Sequence, residues 1–489
     1  MIHLRAPSAS FGWAAARAVV FLVALAATLI VGGAAAQPSA DALSGTWRGS
    51  LDPDGVALGI VLHVEITPAG LAITMDVPPQ GAFGLPVETV RSGPGGELVL
   101  RAPTLPAAPV FDGTVDGDRY AGTFTQGPAE LTFVLEKSLD EAGPDPDRPQ
   151  IPRPPFPYAT RDRTVQGPVG ALAGTLVLPE GPGPHPLVVL VNGSGAQDRD
   201  GTVLGHPTMA VLADRLARAG IGSFRWDDRG VGGSEGDLRE AGVDGLVADV
   251  TAVINALAED PGVDAARIAL VGHSEGGLVV PRAAAGDAPV AAVVLLAAPA
   301  VSGLHLLLEQ NRLILVQGGA SEADIEEQFV YLRALEAALR EGDGEAARAL
   351  TRARVEVQLD ALPEGAAPTG EARTAYVDAQ VENTASPTFA DLVLADPQPS
   401  LRALTVPTLA LFFGLDVQVS AEQNAEPMRA ALDAAGVAHR AVVLDGLNHL
   451  MQPAESGGLE EYAAIPTTVD EEVLALLTSW LRETLAVGP

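Results

Sequence analysis

Arg267-Ile268-Ala269-Leu270-Val271-Gly272-His273-Ser274-Glu275-Gly276 is the stretch whose reading decides the fold. An apolar run of strand length enters Gly272, and Leu278-Val279-Val280-Pro281-Arg282-Ala283-Ala284 reads as helix after Gly276. Strand, tight turn and helix form the setting in which G-x-S-x-G presents a nucleophilic serine. Gly272 and Gly276, two positions either side of Ser274, allow the sharp turn that stands the hydroxyl clear of a sheet. The pattern alone selects little in a chain with 53 glycines. A second copy, Gly232-Gly233-Ser234-Glu235-Gly236, follows Trp226-Asp227-Asp228-Arg229-Gly230 with no strand running directly into it, and reads as a glycine-rich loop.

Around the first copy, from about residue 159 onward, strands and helices alternate. Strands are expected at Leu172–Leu178, Pro186–Val191, Ile221–Trp226, Ile268–Val271, Val290–Ala297, Thr408–Phe413 and Arg440–Leu444. Helices are expected at Met209–Ala219, Val243–Ala258, Ala421–Ala435 and Val469–Leu485. Val189-Leu190-Val191 and Val293-Val294-Leu295-Leu296 are continuously apolar, as in strands covered on both faces. Such alternation implies a mostly parallel sheet with right-handed crossovers. Between about 302 and 400 the rhythm breaks into helical stretches, Glu322–Arg340 and Glu345–Val357 among them, with no convincing strand. This insertion is a cap candidate.

A serine nucleophile needs a base, an orienting acid and donors for an oxyanion. On an elbow of this type the partners follow in the order acid, then histidine. Of the later histidines, His305 opens the insertion, His439 precedes the strand Arg440–Leu444, and His449 follows that strand in Asp445-Gly446-Leu447-Asn448-His449. His449 is therefore the expected base, because reactive groups of open α/β sheets collect at the carboxyl edge. Phe412-Phe413-Gly414-Leu415-Asp416 places Asp416 at the same edge as the orienting acid, with Asp445 its rival. The oxyanion donors are expected to be the backbone N–H of Glu275 and that of Ser194, in the loop Asn192-Gly193-Ser194-Gly195. The Glu275 side chain reads as a helix-start carboxylate favoured by the dipole. His273 is expected to point away from the nucleophile. Asp198-Arg199-Asp200 and Asp227-Asp228-Arg229 read as a hydrogen-bonded loop scaffold, and neither has metal-site spacing.

The N-terminal part differs in kind. Residues 41–137 read as a small β-rich domain, a sandwich or barrel-like module, with strands at Leu58–Ile66, Glu97–Leu100, Tyr120–Thr125 and Leu131–Leu135. Residues 138–158 hold seven prolines between Pro144 and Pro157 and read as a semi-rigid extended linker. Arg5 and Arg17, the apolar run Ala18–Val31 and the small residues to Ala36 read as a cleavable secretory signal over about 1–36, shorter in its apolar core than the roughly 20 residues of a membrane span. The expected location is periplasmic or secreted. The chain has 489 residues, no cysteine and a formal net charge of −32. Disulfides, thiolate metal sites and a cysteine nucleophile are excluded, and nucleic acid and anionic lipid are disfavoured as partners. A neutral small molecule suits this surface better.

Residues 160–489 resemble the bacterial α/β-hydrolase carboxylesterases of the esterase D type, grouped with serine aminopeptidase-like hydrolases. The resemblance rests on Asn192-Gly193-Ser194-Gly195 with Gln197-Asp198-Arg199-Asp200, Asp227-Asp228-Arg229-Gly230-Val231-Gly232, Gly272–Gly277, Leu306-Leu307-Leu308-Glu309-Gln310, Asp416 and His449. The N-terminal module, with Gly45-Thr46-Trp47-Arg48-Gly49, is similar to domains often found ahead of such hydrolases. The resemblance implies an α/β-hydrolase fold with a helical cap, and hydrolysis of short acyl esters through an acyl-enzyme, without a cofactor. Cleavage of short peptides by the same residues, or binding of an envelope polymer by the β-domain, are the alternatives.

Overall fold

The computed structural model describes residues 43–487 apart from 52–57, 68–69, 78–81, 94–95, 103–107, 127–128, 139–147 and 362–367. The proposed signal segment lies outside the described residues, as does much of the proline-rich stretch.

The N-terminal domain is a closed eight-stranded barrel of antiparallel strands in sequential order. These are β1 (Gly45–Leu51), β2 (Leu58–Thr67), β3 (Gly70–Val77), β4 (Ala82–Ser92), β5 (Glu97–Arg101), β6 (Val110–Asp116), β7 (Arg119–Gln126) and β8 (Ala129–Ser138). Closure comes from β1 pairing with β8, Trp47 opposite Lys137. Side chains fill the interior: Trp47, Leu62, Leu100, Phe111, Tyr120, Phe133 and Leu135 are buried, and Phe111 meets Phe124 and Phe133 edge-on. The Trp47 indole donates to the Leu43 carbonyl, and the Tyr120 hydroxyl lies within reach of the Leu98 and Phe111 carbonyls. Four of these strands, β1, β3, β4 and β6, were not expected from the sequence.

The second sheet also has eight strands: β9 (Tyr158–Gln166), β10 (Ala171–Pro179), β11 (His185–Val191), β12 (Gly222–Trp226), β13 (Val263–His273), β14 (Ala292–Leu296), β15 (Thr408–Phe413) and β16 (His439–Leu444). Their spatial order is β16-β15-β14-β13-β11-β12-β10-β9. From β12 to β16 every pairing is parallel, whereas β9 and β10 run antiparallel at one edge. β9 was not expected. It carries Arg161, Asp162 and Arg163 where buried strands carry aliphatic residues, as its edge position permits.

Two helical layers explain the continuous apolar strands. Val189, Ile268 and Leu270 face a core with α2 (Gly242–Ala258), α3 (Gly276–Ala284) and α10 (Ala421–Ala435), while Val188, Ala269 and Val271 face α1 (Thr208–Arg218) and α11 (Glu471–Thr484). Between β14 and β15 lies the helical insertion: α4 (Gly303–Gln317), α5 (Glu322–Arg340), α6 (Gly344–Asp360), α7 (Gly370–Thr384), α8 (Pro387–Leu394) and the short α9 (Gln398–Arg402). α8 ties it to the α/β core. Thr388 Oγ1 donates to the Leu238 carbonyl at 2.6 Å, and Asp391 Oδ2 accepts the Val243 N–H at 2.9 Å, at the start of α2.

The described part of the proline-rich stretch, from 148 to 157, forms no helix or strand and is anchored by its polar side chains. Arg148 is buried and donates to the Ile465 carbonyl at 3.0 Å, and Gln150 Oε1 accepts the N–H groups of Thr468 and Val469 at 2.7 and 2.9 Å. Proline removes donors from this stretch, but the polar side chains between prolines supply their own partners.

Candidate active site

β13 ends at His273 and α3 begins at Gly276, so the intervening turn must be tight. Ser274 takes φ = 53°, a left-handed conformation that non-glycine residues adopt at a cost. The turn is held by the Ser274 N–H donating to the Leu296 carbonyl of β14 at 2.9 Å, and by the Gly277 N–H donating to Ser274 O at 2.8 Å. A Cβ at Gly276 would stand 2.7 Å from the Val191 and Asn192 carbonyl oxygens, so only glycine lets α3 approach β11 this closely. The second G-x-S-x-G copy is structural: Ser234 Oγ donates to the Asp227 carbonyl at 2.7 Å and accepts the Ala173 N–H at 2.9 Å.

At the same sheet edge the loop after β16 carries His449, which is 4% exposed. Its Nδ1 lies 2.8 Å from Asp416 Oδ2. A carboxylate only accepts, so Nδ1 holds the proton and Nε2 is left as the basic nitrogen. Asp416 is itself fixed, with Oδ1 accepting the Gln418 and Val419 N–H groups at 2.7 and 2.8 Å. The base loop is pinned by fully buried Asn448, whose Oδ1 accepts the Leu450 and Gln452 N–H groups, both at 3.0 Å. The rival Asp445 is exposed in the turn. His305 lies in α4 beside Ser302, and His439 opens β16, near the Val437 carbonyl.

The loop after β11 approaches the elbow at Gly193. A Cβ at Gly193 would stand 3.1 Å from Ser274 Cβ, whereas Ser194 is exposed. Among the described residues, no acceptor takes the N–H of Ser194 or of Glu275. The loop is braced as the two charged triplets suggested. Asp227 receives the Arg199 guanidinium at 2.7 Å and the N–H groups of Arg199 and Gly233, and Asp228 Oδ2 accepts the Gln197 N–H at 2.9 Å. Arg229 and Asp249 form a buried bidentate pair at 2.6 and 2.9 Å.

Two side chains at the elbow depart from the expectation or go beyond it. His273 reaches the His449 loop, with Nε2 2.9 Å from the His449 carbonyl oxygen. Glu275 is no solvated helix-start carboxylate. It is 5% exposed and lines a pocket with Asn192, Gly193, Trp226, Asp228 and Val279. Burial, and then the negative charge of Asp391 on α8, push its pKa up to about 7. Desolvation outweighs the helix dipole here. Asp228 is also raised well above its ordinary range, by burial first and then by neighbouring carboxylates including Glu275. The signal that could have revealed Glu275 is its place directly after the nucleophile, where a sharp elbow turns the next side chain inward.

A sheet of this order with a nucleophile elbow at the end of its fifth strand defines an α/β-hydrolase. Comparison with known proteins returns the same class. The family described as "Serine aminopeptidase, S33" matches residues 206–318. Esterase EstD of Thermotoga maritima is 26% identical over 327 residues, covering 67% of this chain and 68% of that one. Similar solved structures include an esterase of Pyrococcus furiosus (14% identity, 71% of this chain and 96% of that one, TM-score 0.41). A dienelactone hydrolase of Anabaena variabilis is another (16% identity, 67% and 99%, TM-score 0.38). The chain is a hydrolase enzyme of the α/β-hydrolase fold, similar to esterases of the esterase D type. Among the described residues no cluster of His, Asp and Glu could hold a metal ion, and no helix is long and apolar enough to cross a membrane.

Proposed function

We propose that this protein is an exported serine hydrolase that cleaves carboxylic esters of short to medium acyl chains. Ser274 Oγ attacks the ester carbonyl while His449 Nε2 takes its proton. Asp416 holds His449 in the reactive tautomer and stabilises the imidazolium. The N–H groups of Glu275 and Ser194 receive the oxyanion, and among the described residues neither has an internal acceptor. His449 then returns the proton to the departing alcohol, leaving an acyl-enzyme on Ser274. Water, deprotonated by the same imidazole, releases the acid. The observation that carries this reading is the 2.8 Å contact between His449 and Asp416, brought from different loops to the sheet edge where the elbow stands. The leader-like first 36 residues support export. Ser274→Ala should abolish hydrolysis of p-nitrophenyl acetate and butyrate with the fold intact, and full retained activity would sink the assignment.

One observation favours a second substrate class, short peptides with a free amine. Glu275 lies within electrostatic reach of both Asp228 and Asp391, and a substrate ammonium would offset the negative charge gathered there. Aminoacyl-arylamides assayed beside acyl esters distinguish the two.

A further inference from the structure

The strand that delivers Ser274 ends in His273, an imidazole only 6% exposed. Its Nε2 lies 2.9 Å from the backbone carbonyl oxygen of His449. That oxygen only accepts, so Nε2 carries a proton and donates it. The two imidazoles also pack together, centroids 4.8 Å apart and tilted by 44°. The ring's Nδ1 faces the turn before the expected oxyanion donor, since a Cβ at Gly193 would stand 3.4 Å from it. Burial, and then the adjacent His449, push the His273 pKa down to about 3, so this ring stays neutral while its neighbour cycles through a charge.

We propose that His273 is a positioning residue for the hydrolytic reaction, a hydrogen-bonded spacer that sets the His449 loop against the strand end bearing Ser274. The inference rests on the reading of Ser274, His449 and Asp416 as the reacting set. β13 and β16 are not neighbours in the sheet; β14 and β15 separate them, so no ladder bond fixes the distance between their loops. Asp416 holds the His449 side chain from one direction. His273 holds the main chain of the same residue from the nucleophile's own strand. A base anchored at both points cannot swing as its proton moves, and a misplacement of about 1 Å at such a centre costs about 10²-fold.

The test compares three variants of the full chain. H273F keeps the ring volume without the donor. H273Q places an amide N–H at the reach of Nε2, and H273N places one that falls short. Each is assayed for kcat and KM on p-nitrophenyl butyrate, per active site counted with a fluorophosphonate label, and for the low-field proton resonance of the bond between His449 and Asp416. H273F and H273N should lose about 10- to 100-fold in kcat, with KM changed less than about 2-fold and the resonance broadened or shifted. H273Q should recover most of the loss. If H273F does not fold, the difference between the Gln and Asn variants decides. Wild-type kcat per labelled site in H273F or H273N overturns the proposal. So does a loss that Gln fails to rescue and that follows the labelled fraction, which marks a merely structural role. Ser274→Ala is the control: activity surviving there removes the triad reading itself, whereas an inactive Ser274→Ala beside an unaffected H273F removes only the role given to His273.

Discussion

Replacing Glu275 by Gln should stabilise the hydrolase domain, and more so as pH rises. The carboxyl moves from its ordinary 4.5 to about 7 on folding, through burial first and the charge of Asp391 second. Each pH unit of that displacement is worth about 1.4 kcal/mol. Below pH 4.5 the group is neutral in both the folded and unfolded chain and costs nothing. Between 4.5 and 7 the unfolded chain gives up the proton and the folded chain keeps it, so stability falls with rising pH. Above 7 the carboxylate is ionised in both states, and about 3 kcal/mol of penalty stays in the fold. Glutamine keeps the shape and never ionises. Its advantage over the wild type should be about 1 kcal/mol at pH 5.5 and about 3 kcal/mol at pH 8.5, a gain of about 2 kcal/mol across the window. The groups facing Glu275 are Asp228, Asp391 and the Arg229–Asp249 pair. Removing the Glu275 charge relieves Asp228 as well, which adds to the effect with the same sign. Urea titrations at both pH values, followed by loss of fluorophosphonate labelling, report on the hydrolase domain apart from the barrel. An advantage equal at pH 5.5 and 8.5 would refute the reasoning, because a packing change has no reason to follow the ionisation of a residue the variant lacks.

Two further outcomes follow from the same geometry. Asp416→Asn should leave KM nearly unchanged and lower kcat by about 10⁴-fold, since an amide at this position no longer selects the tautomer that leaves Nε2 basic; steady-state kinetics on p-nitrophenyl butyrate check it, and a loss below tenfold would argue that another group orients His449. Arg229→Ala should cost about 3–5 kcal/mol, because Asp249, 4% exposed on its side chain, would keep a buried charge without its partner; the double variant Arg229→Met with Asp249→Leu should recover most of that in a denaturant titration.

What the sequence disclosed and what it withheld follow the range of the interactions involved. The elbow is local. Strand, turn and helix lie within twenty residues, so Gly272, Ser274 and Gly276 could be picked out and the rival Ser234 set aside from order along the chain alone. Asp416 and His449 were legible for a related reason: each follows an apolar strand, and a parallel sheet brings its strands' carboxyl ends to one edge whatever lies between them. The helical insertion showed itself as an absence of strand periodicity. The barrel's β1, β3, β4 and β6, and the edge strand β9, stayed hidden because glycine, proline and charged residues interrupt or flank their apolar positions, and pairing decides them as strands. Side-chain environment was the least legible. Glu275 follows Ser274 in every reading of the motif, yet its burial and the charge of Asp391, which arrives from α8 over a hundred residues later, exist only in the fold. His273 has the same history, since its partner is a main-chain carbonyl 176 residues away. The motif marks Ser274 as the candidate nucleophile. The residues on either side of it carry the coupling to the base loop and to the insertion, and both couplings exist only once the chain has folded.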